Sequence, residues 1–348
     1  MMKKRVLIVD DSATIRSIIR AKLIEDPRLE VVGEACDPYE AREKIKSLNP
    51  DVLTLDVEMP KMNGIEFLEK LMRLRPLPVI MVSTETHKGS AAALEALSLG
   101  AVDCIGKPRH GDLCAAFRGL GDLLVAAASA RVNPRAQRTM STPATDFQWN
   151  GRYVFIGSST GGVDALETIL SGYPENCPPT LITQHMPESF LASFARRLDA
   201  HIAPQFSIAR DRDPLLPGHV YLAPGGAFHL EVKPGSPPRC HLLQAEKVSG
   251  HRPSVDVLFR SAIPLAANAV GIILTGMGRD GADGLAELRH AGGRCFAQNE
   301  ETCVVYGMPR AAMEIGAAER SLPIAEVSST ILKLCGSANT SELKRVAG

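Results

Sequence analysis

Short apolar runs alternate with amphipathic segments over roughly the first third of the chain. The apolar runs and the helical segments between them lie at 6–9, 12–25, 30–33, 38–48, 52–56 and 64–74. Alternation of this kind is typical of parallel βαβ units. The pattern fades after Gly119, and new apolar runs begin at about Arg152. Because 348 residues are also too many for one ordinary core, we predict two α/β domains.

The stretch between the two patterned regions has the composition of a linker. Residues 126–148 are small and polar, contain prolines and show no apolar period. The end of the chain is polar as well, and we expect it to be flexible. The predicted limits are a first domain at 1–122, a linker at 123–149, a second domain at 150–336 and a tail at 337–348.

Charge and cysteine content narrow the class of protein. Lys and Arg together number 39, as do Asp and Glu, so the net charge is zero and a nucleic-acid partner is disfavoured. The eight cysteines include no C-x-x-C pair, which favours a reducing compartment over a zinc site or a disulfide framework. The basic N-terminus is followed by too short an apolar run for a signal peptide, and no stretch approaches a membrane span. We therefore expect a cytoplasmic protein without membrane insertion.

Three acids and one lysine follow apolar runs at separate places in the first domain. Asp10 and Asp11 come directly after one run, and Asp56 closes another; Lys107 follows a third. Because parallel strands finish at one edge of a sheet, these side chains should share a crevice. Crowded carboxylates need a cation, and an all-oxygen site that keeps waters suits Mg²⁺. The cluster is suited to phosphoryl transfer onto a carboxylate, although any one of the acids alone would also fit a solvated strand cap.

The spacing of these residues resembles that of a response-regulator receiver domain, a (βα)5 fold with a parallel sheet. The residues that carry the resemblance are Asp10-Asp11, Asp56, Pro60, Gly64, Ser83 and Lys107-Pro108. It implies that Asp56 accepts the phosphoryl group and, with Asp10 and Asp11, holds Mg²⁺. Ser83 and Lys107 are implied to contact the phosphoryl oxygens. Cys104 stands where the family often has an aromatic switch residue, so an aromatic signal relay is not implied.

The second domain opens with a glycine-rich turn between a predicted strand and a predicted helix. Gly157, Ser159 and Gly161 match the nucleophile-elbow pattern G-x-S-x-G. The small neighbours leave the serine at a helix N-terminus, where free amides favour a developing oxyanion. A phosphate-binding loop is one alternative, but Ser159 replaces the second glycine of G-x-G-x-x-G and no Walker lysine follows. A plain capped turn is the other.

A nucleophilic serine needs a base, and the base needs an orienting acid. His185 is the best placed of the nine histidines, because it ends the apolar run 181–184 just before a proline. His219 and His229 are the next candidates. The other histidines considered are expected at the surface or in loops: His201, His241, His251 and His290.

The candidate acid is Asp280, in the glycine-rich loop that follows the apolar run 270–274. Asp283 lies in the same loop and is its rival. The chain order Ser…His…Asp differs from the Ser…Asp…His order of α/β-hydrolases, so that fold is not implied.

Five blocks of the second domain resemble the chemotaxis protein-glutamate methylesterase family. They lie at 157–162, 184–187, 251–256, 274–281 and 298–300. Together with the receiver, the resemblance covers nearly the whole chain apart from the linker and the tail, and it implies a second α/β domain with a mostly parallel sheet. The family's catalytic triad falls on Ser159, His185 and Asp280.

The same resemblance implies a substrate groove and a reaction. The backbone amide of Met277 is the implied oxyanion donor, with Thr160 and Arg252 lining the groove. The implied activity is phosphorylation-activated hydrolysis of glutamate methyl esters, and deamidation of glutamines, on cytoplasmic helices of methyl-accepting chemoreceptors, which gives sensory adaptation in chemotaxis. A chemotaxis histidine kinase is the implied phosphodonor, and the esterase is expected to need no cofactor.

A receiver placed ahead of an esterase predicts a lid that blocks the groove until Asp56 is phosphorylated. Direct activation, in which the phosphorylated receiver helps to build the site, is the rival. Two other classes of protein are alternatives: a regulator that binds receptors without catalysis, and a transcriptional regulator. The second is disfavoured because no helix-turn-helix pattern or basic stripe follows residue 150.

Overall fold

A computed structural model describes residues 2–84, 87–107, 117, 119–130 and 147–337 of the chain. The elements of the first domain follow one another in strict alternation up to the fifth strand. They are β1 (Lys4–Val9), α1 (Ala13–Ile24), β2 (Leu29–Ala35), α2 (Pro38–Leu48), β3 (Val52–Asp56), α3 (Gly64–Leu74), β4 (Val79–Thr84), α4 (His87–Ser98), β5 (Asp103–Lys107) and α5 (Leu120–Ala127).

The strands of the first domain form a five-stranded sheet in the order β2-β1-β3-β4-β5, and every pair is parallel. The helices begin where side chains cap free amides: Ser12 accepts a hydrogen bond from the amide of Ile15, and Asp37 accepts two. Apolar residues cover both faces of the central strands, as a parallel sheet between helices requires. The predicted (βα)5 architecture is confirmed.

The predicted linker is too long at both ends. Residues 123–127 belong to α5, which buries Leu120, Leu124 and Ala127 against the core of the first domain. At the other end Phe147 is buried in the core of the second domain, and the indole of Trp149 donates a hydrogen bond of 2.5 Å to the Arg152 carbonyl. Residues 131–146, the middle of the predicted linker, and the tail from 338 onwards lie outside the described residues.

The second domain is a further α/β unit. Its strands are β6 (Tyr153–Ser158), β7 (Thr180–Gln184), β8 (Gln205–Ile208), β9 (His219–Leu222), β10 (Phe228–Lys233), β11 (Arg239–Gln244), β12 (Ala269–Ile273), β13 (Arg294–Gln298) and β14 (Arg320–Leu322). Its helices are α6 (Gly162–Leu170), α7 (Glu188–Asp199), α8 (Val255–Ser261), a 3-10 helix (Ile263–Asn268), α9 (Ala282–His290), α10 (Met308–Glu314) and α11 (Ile324–Cys335).

Seven of these strands form one sheet in the order β14-β13-β12-β6-β7-β9-β8, with parallel pairing throughout, while β10 and β11 form an antiparallel hairpin. The expected parallel sheet is therefore confirmed. After β6 the chain forms β7, then the edge strand β8 and then β9 between those two, and it later returns to the other side of β6 with β12. The carboxyl ends of β6 and β12 thus meet at a topological switch point, where open α/β sheets bind ligands.

Helix α4 of the first domain packs against α6 and α7 of the second, so the two sheets are joined through a helical contact. Among the described residues, none of the helices is both long enough and apolar enough to span a bilayer.

Candidate active site

The turn after β6 places Ser159 at the start of α6. Gly161 caps the helix with φ of +77°, a left-handed conformation that favours glycine. A Cβ at this position would lie 2.5 Å from the Cβ of Val304, so the turn also has no room for a side chain. The amide of Ser159 donates to the Thr275 carbonyl at 3.1 Å, which ties the turn to the loop after β12. Ser159 itself is 9% exposed.

Gln184 joins this turn to His185. Its side-chain oxygen accepts a hydrogen bond from the Ser158 hydroxyl at 2.6 Å. Its side-chain nitrogen donates to the carbonyl oxygens of Ser159 at 2.9 Å and His185 at 3.0 Å. Sequence reasoning missed Gln184, and its one signal was a polar residue at the buried end of an apolar strand.

His185 and Asp280 meet across the switch point. His185 Nε2 lies 2.8 Å from Asp280 Oδ2. The carboxylate also accepts hydrogen bonds from the Ser254 hydroxyl at 2.7 Å and from the Val255 amide at 2.8 Å. The amide of Asp256 adds a further bond of 3.2 Å. Four donors therefore fix the position of one buried carboxylate.

These contacts decide the protonation of the pair. Burial alone would raise the pKa of Asp280, but the His185 hydrogen bond and charge, with the Val255 and Ser254 bonds, lower its pKa to about 2. An ionised Asp280 only accepts hydrogen bonds, so the neutral imidazole carries its proton on Nε2 and its lone pair on Nδ1. His185 Nδ1 is buried without a hydrogen-bond partner among the described residues. Within the residues that the structure describes, no hydrogen bond joins the Ser159 hydroxyl to His185 Nδ1.

The rival residues lie in other arrangements. Asp283 forms an exposed ion pair of 2.7 Å with Arg279. His219, at the start of β9, contacts the Pro217 carbonyl through its Nδ1. His229 is fully buried. Its Nδ1 accepts a hydrogen bond of 3.1 Å from the Ser254 amide, so His229 supports the segment that holds Asp280.

His251 is expected at the surface or in a loop, and it lies in the loop between β11 and α8. It also contacts the site, which sequence reasoning missed. Its ring lies parallel to the His185 ring, with centroids 3.8 Å apart and planes 3° apart. Burial, followed by the charge of His185, lowers the pKa of His251 to about 4. The pattern around His251 gave no sign of this contact, because it depends on how a tight turn folds back over β7.

The three residues expected around the groove occupy different positions. A Cβ on Gly276 would lie 2.7 Å from the Ser159 Cβ, so Gly276, the residue before Met277, packs against the serine. The guanidinium of Arg252 donates to the Gly226 carbonyl at 2.7 Å and to the Ala245 carbonyl at 2.9 Å.

Thr160 contacts the first domain. Its hydroxyl donates to Asp103 Oδ2, at the start of β5, across 2.5 Å. Burial raises the pKa of Asp103, although the Thr160 hydrogen bond acts in the opposite direction. The Asp103 carboxyl of the first domain therefore contacts Thr160, the residue next to Ser159.

The acids of the first domain converge as their strand ends predict. Asp10, Asp11 and Asp56 each offer a carboxylate oxygen, and these oxygens lie within 4.8 Å of one another. Lys107 Nζ lies 2.7 Å from Asp10 Oδ2 and 2.9 Å from Asp56 Oδ2. Ser83 is 1% exposed at the end of β4, beside β5. Burial raises the pKa of Asp56 to about 6, because the attraction of Lys107 offsets only part of the desolvation.

This donor set fits a magnesium ion. Two carboxylates are buried and that of Asp11 is exposed, so a cation held there would keep several waters, as Mg²⁺ does. Burial raises the pKa of Asp56, and the neighbouring charge of Asp10 raises it further; a divalent ion bound there would act in the opposite direction.

Comparison with known proteins assigns the second domain. Residues 154–331 match the family model described as CheB methylesterase, and residues 6–118 match the response regulator receiver domain. The chain belongs to the CheB methylesterase family. This membership places an esterase fold where a transcriptional regulator would carry a DNA-binding domain.

Relatives in this family extend over almost the whole chain. The protein-glutamate methylesterase/protein-glutamine glutaminase 1 of Rhizobium johnstonii is 56% identical over 340 residues, which cover 95% of this chain and 96% of the relative. The protein of the same name from Caulobacter vibrioides is 56% identical over 341 residues, or 96% and 98% of the two chains. The crystal structure of the Thermotoga maritima CheB methylesterase catalytic domain is 37% identical, with a TM-score of 0.51, and covers 53% of this chain and 99% of its own.

Proposed function

We propose that this protein is a phosphorylation-activated protein-glutamate methylesterase and protein-glutamine glutaminase that acts on cytoplasmic helices of methyl-accepting chemoreceptors. The observation that carries the proposal is the His185–Asp280 pair, 2.8 Å apart, because it leaves the buried Nδ1 of His185 without a hydrogen-bond partner among the described residues. The His185 amide also binds the Ser158 carbonyl of the nucleophile turn at 3.0 Å. The names and the full-length similarity of the relatives support the same activity.

In the first step the Ser159 hydroxyl oxygen attacks the γ-carbonyl carbon of a methylated glutamate. The hydroxyl proton passes to His185 Nδ1, and Asp280 stabilises the imidazolium that forms. We propose that the Met277 amide donates a hydrogen bond to the oxyanion of the tetrahedral intermediate. When the intermediate collapses, the bond to methoxide breaks and His185 returns the proton, so that methanol leaves and an acyl ester remains on Ser159.

In the second step water attacks the acyl ester with His185 again as the base. The bond to Ser159 breaks, the serine oxygen takes back a proton, and the glutamate carboxylate is released. A glutamine substrate follows the same course with ammonia as the leaving group. The substrate side chains project from a helix, and Ser159 is only 9% exposed. Receiver movement before a receptor binds is therefore part of the proposal.

The receiver is proposed to control this access. The phosphoryl group of a chemotaxis histidine kinase would pass to Asp56, with Mg²⁺ on Asp10, Asp11 and Asp56 supplying the charge that phosphoryl transfer needs. The lid model is supported by the Asp103–Thr160 hydrogen bond of 2.5 Å next to Ser159. Helix α4 adds to the cover through its packing on α6 and α7.

The function is tested by methanol release from receptor-containing membranes that carry radiolabelled methyl esters. Ser159→Ala should lower the rate by roughly 10³-fold or more, because the triad acts as a unit. Ser329→Ala, at an exposed serine on α11, is the matched control and should keep the full rate. If wild type releases no more methanol than membranes without added protein, a non-catalytic receptor-binding protein is the better description. Equal release above that background by wild type and Ser159→Ala would refute Ser159 as the nucleophile.

A further inference from the structure

One face of the His185 imidazole is covered by a second imidazole. The two rings are parallel within 3°, and their centroids are 3.8 Å apart. The Asp280 bond at 2.8 Å runs along the edge of the His185 ring. His185 is therefore held at one edge by a carboxylate and on one face by His251, and its side chain is only 8% exposed.

The backbone before His251 is built to hold this ring in place. Val248 and His251 form two reciprocal backbone hydrogen bonds, of 3.1 Å and 2.9 Å. The two residues between them, Ser249 and Gly250, have φ of 53° and 82°, which is the backbone of a tight hairpin turn with left-handed central residues. The adjacent Arg252 is fastened to two backbone carbonyls.

The same short stretch also fixes the acid. Within residues 248–256, which we name the clamp segment, the Ser254 hydroxyl and the Val255 and Asp256 amides all bind the Asp280 carboxylate. The amide of Ser254 is itself bound to the buried His229. One rigid segment thus sets the position of Asp280 and of the ring stacked on His185.

We propose that His251 is a positioning residue for the esterase reaction: it holds the plane of the His185 imidazole so that Nε2 stays on Asp280 and Nδ1 stays available to Ser159. This inference rests on the proposed triad. Rotation of the His185 ring about its Cβ–Cγ bond would turn a ring edge into His251, because two parallel rings 3.8 Å apart leave no space between them. The stacked ring also keeps water from that face.

The stacking partner has to be uncharged to serve in this way. During the reaction His185 becomes an imidazolium, and a second positive ring at this distance would oppose that charge. Burial holds His251 neutral near pH 7, since its pKa is lowered to about 4. A flat and uncharged aromatic side chain should therefore be able to take over the role of His251.

The test uses the full-length protein and methylated receptor membranes, with kcat and KM measured separately. His251→Ala frees the ring and should lower kcat by roughly 10- to 100-fold, the scale expected for a displaced catalytic group, with KM changed less than about twofold. His251→Phe restores a flat partner and should recover kcat to within about threefold of wild type. His290→Ala, an exposed histidine on α9, is the control and should match wild type.

A spectroscopic signature separates positioning from general destabilisation. The carbon-bound ring protons of His185 should show an upfield ring-current shift in wild type and in His251→Phe, and should lose it in His251→Ala. The Phe variant keeps the test decisive if the Ala variant unfolds.

Three results would overturn the proposal. They are an unchanged kcat in folded His251→Ala, an inactive but folded His251→Phe, and a loss that appears in KM alone, which would place His251 in substrate contact. Ser159→Ala is measured alongside: if it is as active as wild type, the proposed triad fails, whereas an inactive Ser159→Ala with a fully active His251→Ala refutes only the positioning role.

Discussion

At the scale of single residues, the pKa values of two buried carboxylates are shifted in opposite directions, because hydrogen bonds and charge outweigh burial at Asp280 and burial prevails at Asp56. Asp280 receives bonds from an imidazole, a hydroxyl and two amides, and its pKa is lowered to about 2. Asp56 accepts one long amide bond, of 3.4 Å, and shares Lys107 with Asp10, so burial dominates and raises its pKa to about 6. Asp280 therefore stays ionised near neutral pH, whereas Asp56 is suited to bind a cation and accept a phosphoryl group.

The shift of Asp56 predicts a pH-dependent stability of the receiver. Because its pKa rises from 3.8 to about 6 on folding, the folded state binds the proton more tightly, and stability falls as pH increases from about 4 to about 6. Asp56→Asn should therefore stabilise the receiver by about 2–3 kcal/mol above pH 6, and the gain should shrink towards pH 4. Calorimetry in EDTA at pH 4.5 and 7.5 measures this difference.

Asp122→Asn, at an exposed acid of the same domain, is the control and should change stability by about 0.5 kcal/mol or less at either pH. Added Mg²⁺ should stabilise wild type and have a much smaller effect on Asp56→Asn. If Asp56→Asn stabilised the protein equally at both pH values, the raised pKa of Asp56 would not be the cause of the gain.

At the scale of elements, two tight glycine turns position the ends of the switch point. Gly161 precedes α6 and Gly281 precedes α9, and both have left-handed backbones with φ of 77° and 91°. A Cβ at the first would meet Val304 at 2.5 Å, and a Cβ at the second would meet Val255 at 2.4 Å. Both turns therefore need glycine for conformation and for space.

Gly161→Ala should destabilise the second domain by about 2–5 kcal/mol, the sum of the left-handed backbone strain and the overpacking. Gly292→Ala is the matched control, since Gly292 has φ of +103° and its Cβ would meet no described atom within 4 Å. It should cost only the strain, about 1–2 kcal/mol. Urea unfolding of both variants measures the difference, and equal losses would mean that the Val304 contact relaxes freely.

At the scale of the whole molecule, strand β5 connects the phosphorylation site with the esterase. Lys107 at its end binds Asp56, while Asp103 at its start binds Thr160. Four residue steps of a strand, about 13 Å, separate the two contacts. A shift of Lys107 towards a phosphoryl group would therefore act on the same strand that places Asp103 beside Ser159.

Asp103→Ala should raise the esterase activity of the unphosphorylated protein, because it removes a buried hydrogen bond that favours the closed receiver. Loss of this hydrogen bond should weaken the closed state by about 1–1.5 kcal/mol. The open population, and with it the rate of methanol release, should then rise roughly 5- to 10-fold. Stimulation by a small phosphodonor with Mg²⁺ should shrink by the same factor, while Asp122→Ala should behave as wild type. A resting activity equal to or below that of wild type would favour direct activation over the lid.

Much of the fold is determined by local pattern in the sequence. The alternation of apolar runs and amphipathic segments, with caps such as Ser12 and Asp37, fixes the strands and helices because each depends on neighbours in the chain. The same reasoning places Asp10, Asp56, Ser159 and His185 at strand ends, since an apolar run that stops at a polar residue marks the edge of a parallel sheet. The start of the predicted linker is too early because α5 is short and ends in the run of small residues that begins at 126.

Only the tertiary structure decided which of these residues meet. Asp280 and Asp283 are three positions apart, but Asp280 lies in the loop after β12 and Asp283 in the first turn of α9. The choice between them depends on the donors that the clamp segment brings to Asp280 from elsewhere in the chain. The stacking of His251 on His185 and the bond between Asp103 and Thr160 join residues separated by tens of positions. Such contacts arise from packing between elements, which no local periodicity encodes.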